Sequence, residues 1–335
     1  MNQAAVTNLS ADLYHLVRLS ALGASLVLPL QGAASADATL NLRRAVGLVG
    51  VAAAFHGAVY LDNDLCDLEL DRTQPLRAHY PLVRGAISPA QARALALACG
   101  ATSLALDGVI AAPGRHRTRR ASLGAALLLL AVYNRWGKRC PLPPLTDLVQ
   151  ACGWVALLRY GAEATGQPPN RLTKLLAGYE LGLIMLVNGV HGPLRDLAND
   201  AACGARTTAL WLGARIDPND RMVVPPALAA YALVLQLVLV GMLGAAAAQP
   251  QTSARGRWGA ALVVLLTVGL LVRAARGRLR AVDLGMLHLI LILSAPVALV
   301  APAMQLGPQL VLLAAHAGPL LINRMTYEAL RDVGF

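Results

Sequence analysis

The stretch DNDLCDLELDRTQPLRAHYPLVRGAIS, from Asp62 to Ser88, decides the fold of this chain. Its first ten residues contain five carboxylates, in a sequence that is otherwise mostly apolar. If these residues are helical, four polar side chains share one face: Asn63, Asp64, Asp67 and Asp71. A row of carboxylates repels itself unless a cation lies against it. Oxygen ligands suit Mg²⁺, which proteins bind through carboxylates together with substrate phosphates.

The segment that follows these carboxylates is basic. Pro75 is expected to end the helix, because proline cannot continue the hydrogen-bond ladder. The basic residues of this segment are Arg72, Arg77, His79 and Arg84. Carboxylates for a metal beside arginines for an anion indicate a site for a metal–diphosphate.

A second acidic motif lies near the middle of the chain, in RDLANDAACGARTTALWLGAR, Arg195 to Arg215. Asp196 and Asp200 are four positions apart and share a helical face. Arg195 and Arg206 flank them, and Gly204 allows close backbone approach. Both motifs follow long apolar segments, so both are expected at helix ends and on the same side of a membrane.

The composition indicates a membrane protein. The chain has 335 residues, of which 56% are hydrophobic and 14% charged, with a mean hydropathy of +0.54. Several apolar runs approach the roughly 20 residues that cross a bilayer as a helix. The lack of alternation with a period of two argues against a β-barrel. We expect an all-α, polytopic helical bundle in a single domain, residues 1–335, with two acidic-motif halves of about 1–140 and 141–335.

The net charge and the cysteine spacing limit the classes of partner and metal site that we expect. The net charge of +11 comes from residues between apolar segments, so anionic headgroups, topology and a phosphate-bearing substrate account for it better than nucleic acid. The five cysteines show no metal-binding spacing and are expected to be free.

The apolar runs predict nine or ten transmembrane helices. The first run ends in GAASA and could be a signal peptide, but its n-region lacks lysine and arginine, which favours retention as a helix. The last two runs could be two helices or one helix with a re-entrant piece. The runs are about Leu13–Ala36, Arg44–Leu61, Pro89–Ala112, Ala121–Tyr133, Leu148–Gly161, Leu175–Val190, Val223–Ala246, Gly259–Val272, Val282–Pro302 and Leu306–Leu321.

Loop charge predicts the orientation. The side that bears both motifs also has Arg135, Lys138 and Arg139, and it holds a small excess of basic residues. We therefore expect an integral membrane protein of a bacterial plasma membrane, with the motifs facing the cytoplasm.

These motifs resemble those of the UbiA superfamily of intramembrane prenyltransferases. NDLCDLELD, Asn63 to Asp71, matches the NDxxDxxxD motif of that family, and RDLANDAACGARTT is similar to its DxxxD motif. YNRWGKR, Tyr133 to Arg139, resembles its tyrosine-then-lysine segment, and Arg18 falls where the first helix often carries an arginine. The chain departs from the pattern at Tyr80, where an arginine is usual, and at Thr208-Ala209, where Leu-Pro is usual.

The resemblance implies a helical bundle that binds an isoprenyl diphosphate through two Mg²⁺ ions. One ion would be held by Asn63, Asp64, Asp67 and Asp71, and the other by Asp196 and Asp200; these aspartates would also be the catalytic groups. The diphosphate would be bound by Arg77, Lys138 and Arg206, with Arg72 and Arg18 as weaker candidates. Tyr133, Arg159 and His191 are weaker candidates for contact with the acceptor or the prenyl tail.

The reaction stays open at this point. The first interpretation is transfer of the isoprenyl group to a small aromatic or other acceptor, with release of pyrophosphate. A terpene cyclase of the same superfamily, acting without an acceptor, is the alternative. A phosphoribosyl transferase of the same superfamily carries less weight. So does a cation-coupled transporter, because transporter carboxylates usually lie near the middle of the bilayer.

Polar residues inside apolar runs need not belong to the site. Arg159 and Glu180 could form a structural ion pair, or Arg159 could bind the acceptor. His56 is expected to be a hydrogen-bonded core residue. His191 lies beside the second motif and is a better candidate for substrate contact.

Overall fold

The computed structural model describes residues 12–37, 39–110, 115–219, 221–276 and 281–332. The described residues form fourteen α-helices and one two-stranded hairpin. The helices are α1 Leu19–Ala36, α2 Leu42–Cys66, α3 Leu68–Asp71, α4 Pro89–Ile110, α5 His116–Trp136, α6 Pro143–Ala164, α7 Arg171–Leu186, α8 Gly192–Arg195, α9 Leu197–Ala202, α10 Thr208–Trp211, α11 Pro226–Ala247, α12 Ala254–Ala275, α13 Ala281–Val300 and α14 Leu306–Asp332. The strands β1 Arg215–Ile216 and β2 Met222–Val223 pair antiparallel.

The predicted all-α membrane fold is confirmed. Within the described ranges, eight helical segments are long and apolar enough to cross a membrane. Helices α5 and α6 have 21 and 22 residues, which is also long enough, but they carry more polar side chains. The last two apolar runs are two separate helices, α13 and α14, joined by a 3₁₀ turn at Ala301–Ala303. Residues 111 and 112, which end the third predicted run, lie outside the described residues.

Three helix boundaries differ from the sequence interpretation. The first acidic motif is not one continuous helix: α2 ends at Cys66, Asp67 adopts φ −95° and ψ 3°, and the short helix α3 follows. Pro75 does not end this helix; it begins a separate 3₁₀ turn, Pro75–Arg77. The second motif breaks in the same way, because Asp196 adopts φ −100° and ψ 11° between α8 and α9. These dihedral angles leave the α region, so the backbone turns at both aspartates.

Helix α1 packs directly against α6 at two glycines. A Cβ atom at Gly32 would lie 1.9 Å from the carbonyl oxygen of Leu158, and one at Gly161 would lie 1.9 Å from that of Pro29. No side chain fits at these distances, so the two backbones touch. This contact holds α1 inside the bundle, where most of its second half is buried.

Residues 12–18 lie at the N-terminal end of α1. Arg18 has φ 42° and ψ 56°, a left-handed conformation that is uncommon for a residue with a Cβ. It separates a helical turn at residues 12–16 from α1. The carbonyl oxygen of Val17 lies 2.7 Å from Nε2 of His56, so the turn is tied to α2.

Candidate active site

The two acidic motifs meet at one end of the bundle, as the sequence predicted. Gln74, just beyond the first motif, donates to Oδ1 of Asp196 at 3.4 Å. Thr73 donates to the side chain of Asn199 at 3.3 Å. The backbone N–H of Arg206 donates to the carbonyl of Lys138 at 2.9 Å, which ties the segment after the second motif to the loop between α5 and α6.

Basic side chains pair with the aspartates of both motifs. Lys138 lies between the motifs, with Nζ 3.8 Å from Oδ2 of Asp67 and 3.6 Å from Oδ1 of Asp200. The other pairs are Arg18 with Asp64, Arg77 with Asp71 at 3.8 Å and Arg195 with Asp196 at 2.7 Å. The site is therefore an alternation of carboxylates and cations from several segments of the chain.

Burial gives these carboxylates unequal proton affinities. Burial raises the pKa of Asp71 to about 6, although Arg77 and Arg18 act in the opposite direction. Burial likewise raises the pKa of Asp200 against the pull of Lys138. Burial also acts to raise the pKa of Asp196, but the hydrogen bonds and charge of Arg195, together with the charges of Lys138 and Arg77, outweigh it and lower the pKa. Positively charged ligands that neutralise Asp71 and Asp200 are thus favoured at this end of the bundle.

The residues fit a divalent cation. Within the described ranges, no three His, Cys, Asp or Glu side chains are grouped closely enough to form a metal centre as they stand, because basic side chains lie between the carboxylates. Oδ1 of Asp200 is buried and accepts no hydrogen bond within the described ranges; it faces the ammonium of Lys138 at 3.6 Å. A donor set made of oxygen atoms, one of them balanced only by a loosely placed cation, suits Mg²⁺.

A small cavity lies against the first motif. It has a volume of about 10 Å³, enough for about one water molecule. His15, Leu16 and Tyr80 line it together with Asp64 and Asp71. The ring of His15 stacks on Tyr80 with 4.6 Å between centroids, so the N-terminal turn covers the site, and a larger ligand requires this turn or the Tyr80 loop to move.

The other predicted site residues fall into two groups: residues that lie beside the motifs, and residues whose side chains are exposed or paired elsewhere. Asn63 donates to Asp67 at 3.4 Å and belongs to the site, and Tyr133 lies in the last turn of α5, next to the loop that carries Lys138. Arg206 contributes its backbone, and its side chain is exposed. Arg72 instead pairs with Glu69 at 2.6 Å on the exposed side.

Arg159 lies away from the motifs. It follows the first turn of α6 by 12 residues, about 18 Å along the helix axis. The suggested ion pair of Arg159 with Glu180 is wrong, because Arg159 pairs with Glu163, one turn further along the same helix, at 3.0 Å. Glu163 is fully buried and accepts a hydrogen bond from Ser122 at 2.7 Å. Near this opposite end Arg119 binds the buried Asp107 through two nitrogens.

The two histidines lie inside the bundle. His56 is buried and hydrogen-bonded to Ser25 at 2.8 Å and to Val17, which confirms it as a core residue. His191 ends a π-helical turn, Val187–His191, and its Nε2 lies 3.0 Å from Nδ1 of His288.

One known protein family matches most of the chain. The sequence model of the UbiA prenyltransferase family matches residues 24–281. The chain belongs to the UbiA prenyltransferase family. No curated protein sequence matches the chain significantly.

Solved structures of UbiA proteins share the fold. An apo UbiA homolog from Aeropyrum pernix K1 is 21% identical with a TM-score of 0.61, over 83% of this chain and 97% of that one. A digeranylgeranylglyceryl phosphate synthase is 16% identical with a TM-score of 0.64, over 89% and 99%. A UbiA homolog from Archaeoglobus fulgidus bound to GPP and Mg²⁺ is 16% identical with a TM-score of 0.53, over 95% and 98%.

Sequence reasoning missed two polar residues beside the site. Asp147, in the first turn of α6, is buried and accepts a hydrogen bond from Thr208. The hydroxyl of Tyr231, on α11, is buried beside Gly189 and has no hydrogen-bond partner among the described residues. Asp147 was detectable as an acidic residue at the edge of an apolar run, whereas Tyr231 has no sequence signal beyond its apolar surroundings.

Proposed function

We propose that the protein transfers an isoprenyl group from a prenyl diphosphate to an acceptor and releases pyrophosphate, with Mg²⁺ at the acidic motifs. The observation that carries this proposal is the convergence of both motifs on Lys138, with Arg18 and Arg77 on the neighbouring carboxylates. The homolog that binds GPP and Mg²⁺ has the same fold, which supports the same class of substrate.

The proposal gives each charged group a role. Asn63, Asp64, Asp67 and Asp71 would hold one Mg²⁺, and Asp196 and Asp200 a second. When bound, Mg²⁺ supplies positive charge that stabilises the leaving diphosphate. Arg77, Lys138 and Arg18, which pair with these carboxylates in the structure, would donate to phosphate oxygens, and Arg206 would join them. Arg72 and Arg159 have other partners and are secondary.

The interior of the bundle would shield the allylic carbon of the donor from water. Loss of diphosphate leaves positive charge on the allylic carbon, and water would quench it. Apolar residues of α1, α2 and α6 form the core beneath the site and exclude water from it. The prenyl tail would lie among these helices.

We place the motifs at the cytoplasmic face of a bacterial plasma membrane. Loop charge supports this orientation. Cys203 is exposed beside the second motif, so a membrane-impermeant maleimide should label it in inside-out vesicles and spare it in right-side-out vesicles. The opposite pattern would reverse the orientation.

The decisive experiment measures Mg²⁺-dependent pyrophosphate release from C10, C15 and C20 prenyl diphosphates by the purified protein, with mass spectrometry of the products. We expect little release until an acceptor is added. A cyclic hydrocarbon or alcohol formed without acceptor would instead make this a terpene cyclase. Absence of release under every condition would contradict the proposal and favour a transporter.

A further inference from the structure

A second group of charged side chains lies at the end of the bundle away from the acidic motifs. Helix α5 connects the two ends: it finishes beside Lys138 and begins in this group, 21 residues earlier, about 31 Å along its axis. Two carboxylates of the group, Asp107 and Glu163, are fully buried. Ionised groups inside a membrane bundle are costly and mark functional sites. The proposed prenyl transfer uses neither carboxylate, so this group has a separate role.

The first carboxylate is already balanced by one arginine. Arg119 is 1% exposed and donates to Asp107 from Nε at 2.6 Å and from a second nitrogen at 3.1 Å. Two parallel hydrogen bonds are the strong geometry for an arginine and a carboxylate. Arg120 lies 3.5 Å from the same carboxylate, with its side chain 61% exposed. Because Arg119 already neutralises Asp107, the charge of Arg120 is in excess.

The second carboxylate is shared by two arginines. Glu163 accepts a hydrogen bond from Nε of Arg159 at 3.0 Å, and a nitrogen of Arg115 lies 3.8 Å from the same oxygen. Ser122 donates to the other oxygen of Glu163 at 2.7 Å. One carboxylate balances only one of these two guanidinium charges. Nε of Arg115 is also buried and has no hydrogen-bond acceptor among the described residues, which is unfavourable for a polar group.

We call Arg115, Arg120 and Arg159 the arginine cluster. The ion pairs at this end set four arginines against two carboxylates, which leaves two positive charges in excess. The side chains of Arg120 and Arg159 are more than half exposed, so they reach the surface while buried carboxylates hold them from within. Ion pairs that served only to join the helices would need no such excess. The planar guanidinium of arginine matches phosphate in particular.

The surface next to Arg120 is apolar. Its guanidinium lies over Gly108 of α4, where a Cβ would be 3.9 Å from a terminal nitrogen. Leu104 and Leu97 share the helical face of Gly108, about one turn and three turns earlier, and they are 46% and 69% exposed. They lie closer to the middle of the bilayer than Arg120, because α4 runs toward this end. A molecule with an anionic head and a hydrocarbon chain would match this surface.

We propose that the arginine cluster binds the headgroup of an anionic phospholipid, in the leaflet opposite the acidic motifs. Basic pockets between membrane helices bind anionic headgroups in this way. The depth agrees, because Arg120 follows the start of α5 by four residues and Arg159 precedes the end of α6 by five, about 6–8 Å along each helix. From there an arginine side chain reaches the headgroups. This inference does not depend on the proposed prenyl transfer.

Native mass spectrometry of the full-length protein in detergent tests the ligand class. We expect the protein to bind dioleoylphosphatidylglycerol at least about 5-fold more tightly than dioleoylphosphatidylcholine, because only the first has a net negative charge. Equal affinities for the two lipids overturn the proposal. Inorganic phosphate tests a soluble source of the same chemistry, and it should not displace phosphatidylglycerol because it makes no contact along α4. Displacement by phosphate would assign the cluster to a soluble anion and overturn the assignment to lipid.

Arg120→Gln tests the cluster itself. The variant should stay folded, because Arg119 still neutralises Asp107. Loss of this arginine should weaken phosphatidylglycerol binding about 3- to 10-fold and leave phosphatidylcholine binding unchanged. Arg255→Gln is the matched control, because it removes an exposed arginine from the start of α12 at the same end of the bundle. Equal losses in both variants would indicate general attraction to anionic headgroups and overturn the site.

Arg159→Gln tests whether the cluster acts as one site. Glu163 keeps its hydrogen bond from Ser122 and its pairing with Arg115 in this variant, so the bundle should remain folded. We expect a loss of phosphatidylglycerol affinity similar to that in Arg120→Gln. The double variant should bind phosphatidylglycerol and phosphatidylcholine alike, because it removes both excess charges. A double variant that keeps the wild-type preference overturns the proposal.

Discussion

Asp67 and Asp196 interrupt their helices in the same way. Their backbone dihedral angles are φ −95°, ψ 3° and φ −100°, ψ 11°. Each is followed four residues later by a second aspartate, whose N–H donates to the carbonyl of the first at 2.8 Å for Asp71 and 2.9 Å for Asp200. The two motifs therefore share one local backbone geometry.

Because the two motifs have the same backbone geometry, we expect substitutions in either motif to cause similar losses of activity. Asp67→Asn and Asp196→Asn should each reduce Mg²⁺-dependent pyrophosphate release at least about 100-fold, because each removes one charged ligand next to the leaving group. Asp62→Asn is the control, since Asp62 pairs with Arg135 beside the motif and should keep activity within a few-fold. Full activity in either motif variant would rule out its role as a metal ligand.

We expect the ammonium of Lys138 to compete with Mg²⁺ for the carboxylates of Asp67 and Asp200. Lys138→Gln leaves Asp67 and Asp200 without their shared cation, so in EDTA the variant should unfold at a lower temperature than the wild type. Addition of Mg²⁺ should then raise its Tm more than it raises that of the wild type, because no ammonium opposes binding. Arg139→Gln, an exposed neighbour, should behave like the wild type. Equal Mg²⁺ shifts in all three proteins would contradict the competition.

His15 should make stability depend on pH. Burial, together with the charge of His79, lowers the pKa of His15 from 6.5 to about 4. Between these values the folded protein binds fewer protons than the unfolded chain, so the contribution is complete above pH 6.5 and is lost as the pH falls toward 4. His15→Gln should therefore show a smaller drop in Tm from about pH 7 to about pH 5 than the wild type. His116→Gln changes an exposed histidine, and its pH dependence should match the wild type.

Gly161 should tolerate no side chain. Gly161→Ala forces a methyl group to within 1.9 Å of the Pro29 carbonyl oxygen, and overpacking of this kind typically costs about 1–3 kcal/mol, occasionally more. We expect loss of the folded, monodisperse protein on size-exclusion chromatography in detergent. Gly124→Ala meets no atom within 4 Å and should be as stable as the wild type or more so. A well-folded Gly161→Ala protein would disprove the backbone contact.

The sequence predicted which residues form the site better than it predicted the local backbone geometry of the site. Both motifs, their common side of the membrane and the basic residues around them were readable, because charge in an apolar chain is conspicuous. The helix breaks at Asp67 and Asp196 were not, since the bonds from Asp71 to Asp67 and from Asp200 to Asp196 keep the helical spacing through the break. The periodic pattern is therefore the same with or without it.

Contacts between polar side chains inside the bundle were harder to predict from the sequence. Arg159 was paired with Glu180 because both lie in apolar runs, although Glu163 is one turn away on the same helix. The predicted start of the fifth run at Leu148 excluded Asp147 from the helix that buries it. Thr208 was visible only as a departure from the family pattern, and its contact with Asp147 depends on packing between segments about 60 residues apart.

The backbone contact between α1 and α6, at Gly32 and at Gly161, also constrains how the protein is made. Helix α1 enters the bilayer about 130 residues before the helix that it touches most closely has been synthesised. During that interval its close-packing surface faces lipid or the insertion machinery. Biogenesis of the bundle therefore requires a late rearrangement in which α6 docks onto a helix that is already in the membrane. A ribosome stall placed between Ala164 and Arg171 would isolate this step.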